Sequence, residues 1–558
     1  MIVRRTLCSA VVALGVVAAA GAGASAAEHA ATDPTSTRGA AGAAAGRAKD
    51  AATDATWARG AAELRTRLEA ARDEREARNL LIFIGDGHGV ASTTATRIFA
   101  GQQAGGRGED YSVAWDRMPA TALIRTYNTD AQVPDSAGTA TAILSGIKTR
   151  AGVIGVDSGL QRGDCAAVDG HRVPNLFEIA RDSGWARGIV TTTRVTHATP
   201  AAAYAASADR NFESDTALPA DCDQPDIASQ LIDARLDVAL GGGAAVFRPR
   251  SADAAPAKRD SNEARMAAVR ARSSGDGRSA QGARGDGRDL LAEFRAAGGR
   301  VLLDADEFRA WAGDRKATPD ADSIDTPAAH STAPVLGLFS ASHMSFEADR
   351  TEDEPSLREM TLAAVDALER SGQRWILLVE AGRIDHAHHA TNPTRALVDG
   401  VAFSDAIDAA RAAVPDDTLI LVTADHDHTL SIQGYPRRGS PITGLCEKIG
   451  GDGAYCLDQR GEPYPTLSYA NGPRTPDTPQ EAIAPVGDKN HILETLLPHP
   501  METHGGTDVA AYAAGPRSHL VGGTLEQNTL FHILRHAAGL PAPAAPSAPA
   551  SPTSPASG

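Results

Sequence analysis

Between residues 57 and 540 the chain alternates short apolar runs with longer stretches of helical period. Residues 80–84, 188–190, 237–240, 375–379 and 419–422 are apolar or nearly so. They lack the every-second-residue polarity of a half-exposed strand, and so predict strands buried on both faces. Residues 509–513 predict a further strand. Residues 174–183, 357–370, 394–413 and 528–538 repeat their apolar positions at helical spacing. Buried strands separated by helices predict an α/β fold, with a central, largely parallel β-sheet flanked by helices. Two stretches break the rhythm. Residues 248–288 mix Arg, Asp, Gly and Ser and predict a polar inserted loop. Residues 434–485 carry Pro, Gly, Tyr and two cysteines without helical period, and predict an inserted, disulfide-bridged surface subdomain.

The two ends have another character. Arg4 and Arg5 precede an apolar run over 7–20 and the small residues Ala24-Ser25-Ala26, the pattern of a signal peptide spanning 1–26. Residues 27–56, made of Ala, Gly, Thr and Asp, predict a disordered leader, and the Pro/Ala/Ser-rich 541–558 a disordered tail. This leaves 57–540 as the folded domain, expected to carry the chemistry. No other run is long and apolar enough for a transmembrane segment, so the expectation is a secreted, extracellular protein. The net charge is −16, or −18 without Arg4 and Arg5 (−16 − 2). That sign argues against a nucleic-acid-binding role. It allows an anionic substrate only where bound cations reverse the local charge. Of five cysteines, Cys8 leaves with the signal peptide. Cys165, Cys222, Cys446 and Cys456 allow three pairings, and nearness in sequence favours Cys165–Cys222 and Cys446–Cys456. A zinc–thiolate site is the alternative, but no Cys-x-x-Cys spacing occurs.

Ionisable residues collect just past the predicted strands. Gly85-Asp86-Gly87-His88-Gly89 follows the first. Glu380, Asp385, His386, His388 and His389 follow 375–379, and Asp425-His426-Asp427-His428 follows 419–422. Glu502-Thr503-His504-Gly505-Gly506 stands ahead of 509–513. Open α/β sheets bind ligands beyond the carboxyl ends of their strands, so these groups are delivered to one edge. Singly, each Asp reads as a helix cap and each His as a solvated side chain. Together they predict a multi-metal site. Asp385 and His389, four residues apart, share a helical face, and mixed Asp/His ligation suits Zn²⁺. A set of Glu, Asp and a hydroxyl suits Mg²⁺. More than one cation is needed to offset so many carboxylates. Pro134-Asp135-Ser136 opens a run of small residues continuing to 147, which places Ser136 at a helix N-terminus, where free N–H groups favour an anion. From that segment alone, Ser136 or Asp135 reads as an N-cap. No Gly-x-Ser-x-Gly elbow and no Gly-x4-Gly-Lys-Ser/Thr loop is present.

The segments 83–89 (Phe-Ile-Gly-Asp-Gly-His-Gly), 134–142 (Pro-Asp-Ser-Ala-Gly-Thr-Ala-Thr-Ala) and 379–389 (Val-Glu-Ala-Gly-Arg-Ile-Asp-His-Ala-His-His) resemble the alkaline phosphatase family. So do 423–428 (Thr-Ala-Asp-His-Asp-His) and 502–506 (Glu-Thr-His-Gly-Gly), in family order over roughly residues 78–538. The resemblance implies hydrolysis of phosphate monoesters through a phosphoserine on Ser136, with Arg210 gripping the phosphate. It implies two zinc ions, one on Asp385, His389 and His504 and the other on Asp86, Asp425 and His426. It further implies a magnesium ion on Asp86, Glu380 and Thr199, and a homodimer. His197 and His386, behind the magnesium site, resemble the animal-type branch, where other bacterial members have Asp and Lys; this leaves the identity of that ion open. The two cysteine pairs match the same branch. His88 stands where Met is common and is expected not to ligate. Ser340 stands where animal-type members have a carboxylate near calcium, so no calcium is expected. The competing readings are a phosphodiesterase on the same metal cage and a non-catalytic extracellular metal or phosphate scavenger; a scavenger has no need of a nucleophile.

Overall fold

The computed structural model describes residues 72–251, 282–313, 333–451, 453–475 and 484–542, with the isolated positions 59, 62, 64 and 65 ahead of them. The expected signal peptide, the leader, nearly all of the tail and the middle of the 248–288 loop lie outside the described residues. From Arg72 onward ten strands make one sheet. They are β1 (Asn79–Gly85), β2 (Ala120–Arg125), β3 (Ala186–Arg194), β4 (Val238–Gly242), β5 (Arg300–Leu302), β6 (Val335–Leu338), β7 (Trp375–Ala381), β8 (Thr418–Ala424), β9 (Val509–Ala514) and β10 (Gly523–Glu526). Their spatial order is β10-β2-β9-β8-β1-β7-β3-β4-β6-β5. Within this sheet β9 alone runs antiparallel to its neighbours, β8 and β2.

The principal helices are α1 (Val90–Gln103), α2 (Ser136–Ser145), α3 (Leu176–Asp182), α4 (Leu357–Arg370), α5 (Arg383–His389), α6 (Pro393–Ala413) and α7 (Thr529–Ala537). Alternate side chains of β1 sort into two cores. Leu80, Ile82 and Ile84 pack with Ile143 of α2, Phe177 of α3 and Phe531 of α7. Leu81 and Phe83 pack on the other face with Met360 and Leu368 of α4 and Phe403 and Ile407 of α6. Both faces are covered, which is why Leu80–Ile84 of β1, Trp375–Val379 of β7 and Leu419–Val422 of β8 are apolar at every position. α3 and α4 begin with reciprocal capping boxes, Asn175 with Glu178 and Ser356 with Glu359.

The expected strands and helices are all present within a few residues. The run after Ser136 ends earlier than expected, at Ser145, because Gly146 takes φ +77° and closes the helix in the left-handed region. α1, β2, β5, β6 and β10 come in addition. Among the described residues no helix is long and apolar enough to cross a membrane. Both cysteine pairs, Cys165–Cys222 and Cys446–Cys456, are bonded, each with Cα atoms 5.3 Å apart.

Register does the positioning. β1 lies between β7 and β8, with Gly85 opposite both Ala381 and Ala424. Asp86 and Asp425 therefore leave adjacent strands side by side, while Glu380 sits level with Ile84 and with Thr191 of β3. Phe83 is fully buried at the centre of this frame, edge-on to Phe403 with ring centroids 6.0 Å apart. Phe83→Ala should cost about 3–5 kcal/mol, read as a lower urea midpoint; a change under about 1 kcal/mol would show that this face tolerates cavities.

Candidate active site

Asp86, Asp425 and His426 gather at the carboxyl ends of β1 and β8, all fully buried. His426 Nε2 lies 3.4 Å from Asp86 Oδ1 and 3.3 Å from Asp425 Oδ2. Gly87, at φ +66°, turns the chain so that its N–H donates to Asp425 Oδ1 at 3.0 Å; a Cβ there would lie 2.3 Å from the His428 ring. A second group forms beside the first. His389 Nε2 and His504 Nε2 are each 3.4 Å from Asp385 Oδ1 and 3.2 Å from each other.

The three imidazoles share one arrangement. His389 Nδ1 donates to the Glu502 carbonyl at 2.6 Å, His504 Nδ1 to that of Pro134 at 2.8 Å, and His426 Nδ1 to that of Asp427 at 3.3 Å. A carbonyl only accepts, so each proton sits on Nδ1 and each Nε2 lone pair is turned into the cage. Metal-ligating histidines are oriented in this way.

A third group lies on the far side of Asp86. Asp86, His197 and Glu380 place ligand atoms within 4.8 Å of one another. Asp86 Oδ2, Glu380 Oε1 and His197 Nδ1 are buried there without hydrogen-bond partners among the described residues, and Thr199 Oγ1 is likewise buried and unpaired. Unpaired buried polar atoms are costly, and those of Asp86, Glu380 and His197, gathered together, fit a bound cation. Glu380 is steadied through its other oxygen by the hydroxyls of Thr191 and Thr193. His386 accepts from Arg383 at 3.1 Å, and its ring lies 5.6 Å from that of His197.

Ser136 is the first residue of α2, and Asp135 is its N-cap, accepting from the Gly138 N–H at 3.2 Å. Ser136 Oγ stands 3.1 Å from His426 Nε2 and 3.4 Å from Asp86 Oδ1. Arg210 donates to Asp135 Oδ2 at 3.1 Å and to His197 Nε2 at 3.0 Å, which brings its guanidinium beside the serine. Ser136, Arg210, His197, Asp86, Glu380, Asp425, His426, Asp385, His389 and His504 are thus linked by neighbouring contacts, His386 lies against His197, and Thr199 is buried. His88 stays apart, wedged between Trp115 and Phe403.

Two residues of the cage escaped assignment from sequence. His428 bridges Asp385 Oδ1 at 2.8 Å and Glu502 Oε2 at 2.5 Å. Glu502 is fully buried and also accepts from the Thr429 N–H at 2.6 Å. Both lie inside the quoted motifs, but a side chain that holds other side chains has no spacing of its own to reveal it.

The sequence pattern of the alkaline phosphatase family matches residues 77–540. The tissue-nonspecific alkaline phosphatase of Gallus gallus is 37% identical over 479 residues, spanning 84% of this chain and 85% of that one. The Homo sapiens isozyme is 36% identical over 477 residues, spanning 84% of each. Among solved structures, Thermus thermophilus alkaline phosphatase superposes with a TM-score of 0.57 at 24% identity, over 84% of this chain and 93% of its own. The alkaline phosphatase of the Antarctic bacterium TAB5 gives 0.55 at 21%, over 84% and 100%. These likenesses show the shared fold.

Charge in the cage is poorly balanced by the protein alone. Burial pushes Asp86 well above the usual carboxylate range, and Asp425, Asp385 and Glu380 push it further. Burial takes Asp425 up to about 6, while it lowers His426 and brings His389 down to about 4, so both imidazoles are neutral. Burial also pulls His428 down, but Glu502 and Asp385 outweigh it and carry it up to about 10. Folded Asp425 binds its proton more tightly than in the unfolded chain, so stability falls as pH rises from 3.8 through about 6. The His428 ion pairs stabilise fully below pH 6.5 and are lost as pH rises through about 10. Both slopes have the same sign. The melting temperature of the metal-stripped protein should therefore fall across these two windows, and added Zn²⁺ should remove most of the fall; a flat profile without metal would contradict this charge balance.

Proposed function

The chain belongs to the alkaline phosphatase family and is a phosphoric monoester hydrolase, and we propose that it works through a Ser136 nucleophile in a cage for two zinc ions and one magnesium ion. Asp385, His389 and His504 would hold one zinc, and Asp86, Asp425 and His426 the other. Asp86, Glu380 and Thr199 would hold the magnesium, with His197 and His386 behind it. The observation that carries this reading is the row of three imidazoles, each with Nδ1 on a backbone carbonyl and Nε2 facing buried carboxylates beside Ser136. When bound, the zinc ions supply the positive charge that favours the serine alkoxide and the departing oxygen.

Ser136 Oγ, as the alkoxide, attacks phosphorus opposite the leaving oxygen, and the alcohol departs. The first turn of α2 presents its free N–H groups and dipole to the phosphoryl oxygens. Arg210 binds two non-bridging oxygens with its planar fork, held by Asp135 and His197. A phosphate monoester offers the free oxygens for such a grip. Water then hydrolyses the phosphoserine, releasing phosphate and restoring Ser136. Because the reactive form is deprotonated, the rate should rise with pH.

The proposal extends to the setting. The two disulfides support export to an oxidising compartment, with residues 1–26 as the signal peptide and small phosphate monoesters met outside the cell. Residues 57–540 would be the catalytic domain, carrying the 248–288 loop and the 434–485 subdomain, and the enzyme would act as a homodimer.

Ser136→Ala should lower kcat by at least about 1,000-fold and abolish the acid-stable phosphoserine trapped from a labelled monoester; label persisting on serine in that variant would remove Ser136 from the role. Arg210→Ala should weaken inhibition by inorganic phosphate by about 10- to 100-fold, the loss of one charged hydrogen-bonding partner worth ~1.5–3 kcal/mol. An unchanged inhibition constant would place the phosphate elsewhere.

A further inference from the structure

Asp135, Arg210, Asp209 and Arg162 form a row of alternating charge leading outward from Ser136. Asp135 accepts from Arg210 Nη1 at 3.1 Å. Asp209, next in the chain to Arg210, accepts from Arg162 through both oxygens, from Nε at 2.8 Å and from Nη2 at 2.9 Å. Arg162 is the exposed end of the row, its side chain 45% accessible against 18% for Arg210.

Gly152 joins the two arginines. Its N–H donates to Asp135 Oδ1 at 2.9 Å, and its carbonyl accepts from the Arg210 N–H at 2.8 Å. Its Cα faces the Arg162 guanidinium so closely that a Cβ there would lie 2.5 Å from both Cζ and Nη1. Arg162 is thus separated from Asp135 by little more than one peptide unit. The bond from Cys165 to Cys222 pins the loop that carries it. Asp209 occupies Nε and Nη2; Nη1 makes no hydrogen bond among the described residues.

A monoester gripped by Arg210 uses one arginine, and a second, half-exposed one, with Nη1 making no hydrogen bond among the described residues, lies just beyond Gly152. We propose that Arg162 is a second anion subsite, which recognises a further phosphoryl group carried on the substrate's leaving alcohol. The inference rests on the assignment of Ser136 and Arg210 above. In the reaction the Ser136 Oγ–P bond forms as the P–O bond to the alcohol breaks. The alcohol takes a proton from water and leaves with its second phosphate. Water then cleaves the phosphoserine, so that bisphosphate and water yield monophosphate and inorganic phosphate. Asp209 already offsets part of the Arg162 charge, which keeps the gain moderate.

The test compares kcat/KM of the holoenzyme for 1,3-propanediol bisphosphate and n-propyl phosphate, whose scissile groups are alike and which differ in the second phosphate. The wild type should favour the bisphosphate per phosphate group, and the preference should shrink as ionic strength rises. Arg162→Ala should lower the ratio of the two values by about tenfold, and Arg162→Lys should retain part of it. A ratio unmoved in both variants would overturn the subsite, as would an equal loss on both substrates, the mark of a residue that merely props Arg210. Failure of the wild type to turn over n-propyl phosphate would instead overturn the assignment on which the subsite rests.

Discussion

Four carboxylates, those of Asp86, Glu380, Asp385 and Asp425, are buried together at one end of the sheet. An unpaired buried charge costs several kcal/mol, and like charges in contact add to that cost. Burial keeps His426 and His389 neutral, while His428 and Arg210 bring positive charge directly into the cluster. The arrangement is therefore made for cations, and the surrounding structure holds the ligands ready. Strand register sets Asp86 against Asp425. Backbone carbonyls fix the imidazole tautomers, Gly87 lets the chain turn beneath His428, and Glu502 braces His428 against Asp385. The two apolar cores on either face of β1, β7 and β8 supply the stability that a polar cage lacks.

How much of this was legible in the sequence follows from burial. β1, β7 and β8 announce themselves because both faces are covered and their central positions are all apolar. α4 shows its period and its Ser356-x-x-Glu359 box together. The elements that escaped have weaker physics behind them. β5 and β6 are three and four residues long. β10 is Gly-Thr-Leu-Glu at the sheet edge, where one side of the ladder is open. α1 buries Ser92, Thr93 and Thr96, so its inner face does not look apolar.

The site was more legible than the fold. Groups that meet at the carboxyl edge of a sheet follow its strands and carry particular donor atoms, so Asp86, Asp385, His389, Asp425 and His426 stand out at predictable places. Arg210 and Thr199 come through the family resemblance alone, since a single Arg or Thr in a loop has no periodicity. Glu502 and His428 come only with coordinates, because their work is done on side chains distant in sequence. The same holds for Asp209 and Arg162, whose pairing spans a loop closed by a disulfide.

An acidic chain that handles a dianion needs its positive charge concentrated where the substrate lands, in bound cations and in arginines held by aspartates. The most direct measurement is turnover of p-nitrophenyl phosphate and bis-p-nitrophenyl phosphate by the purified protein. It should be made before and after EDTA, and again with Zn²⁺ and Mg²⁺ restored. The account predicts monoester hydrolysis that rises with pH, is lost to the chelator and returns with the metals, and far exceeds diester hydrolysis. Diester preference, or monoester turnover indifferent to chelation, would contradict it.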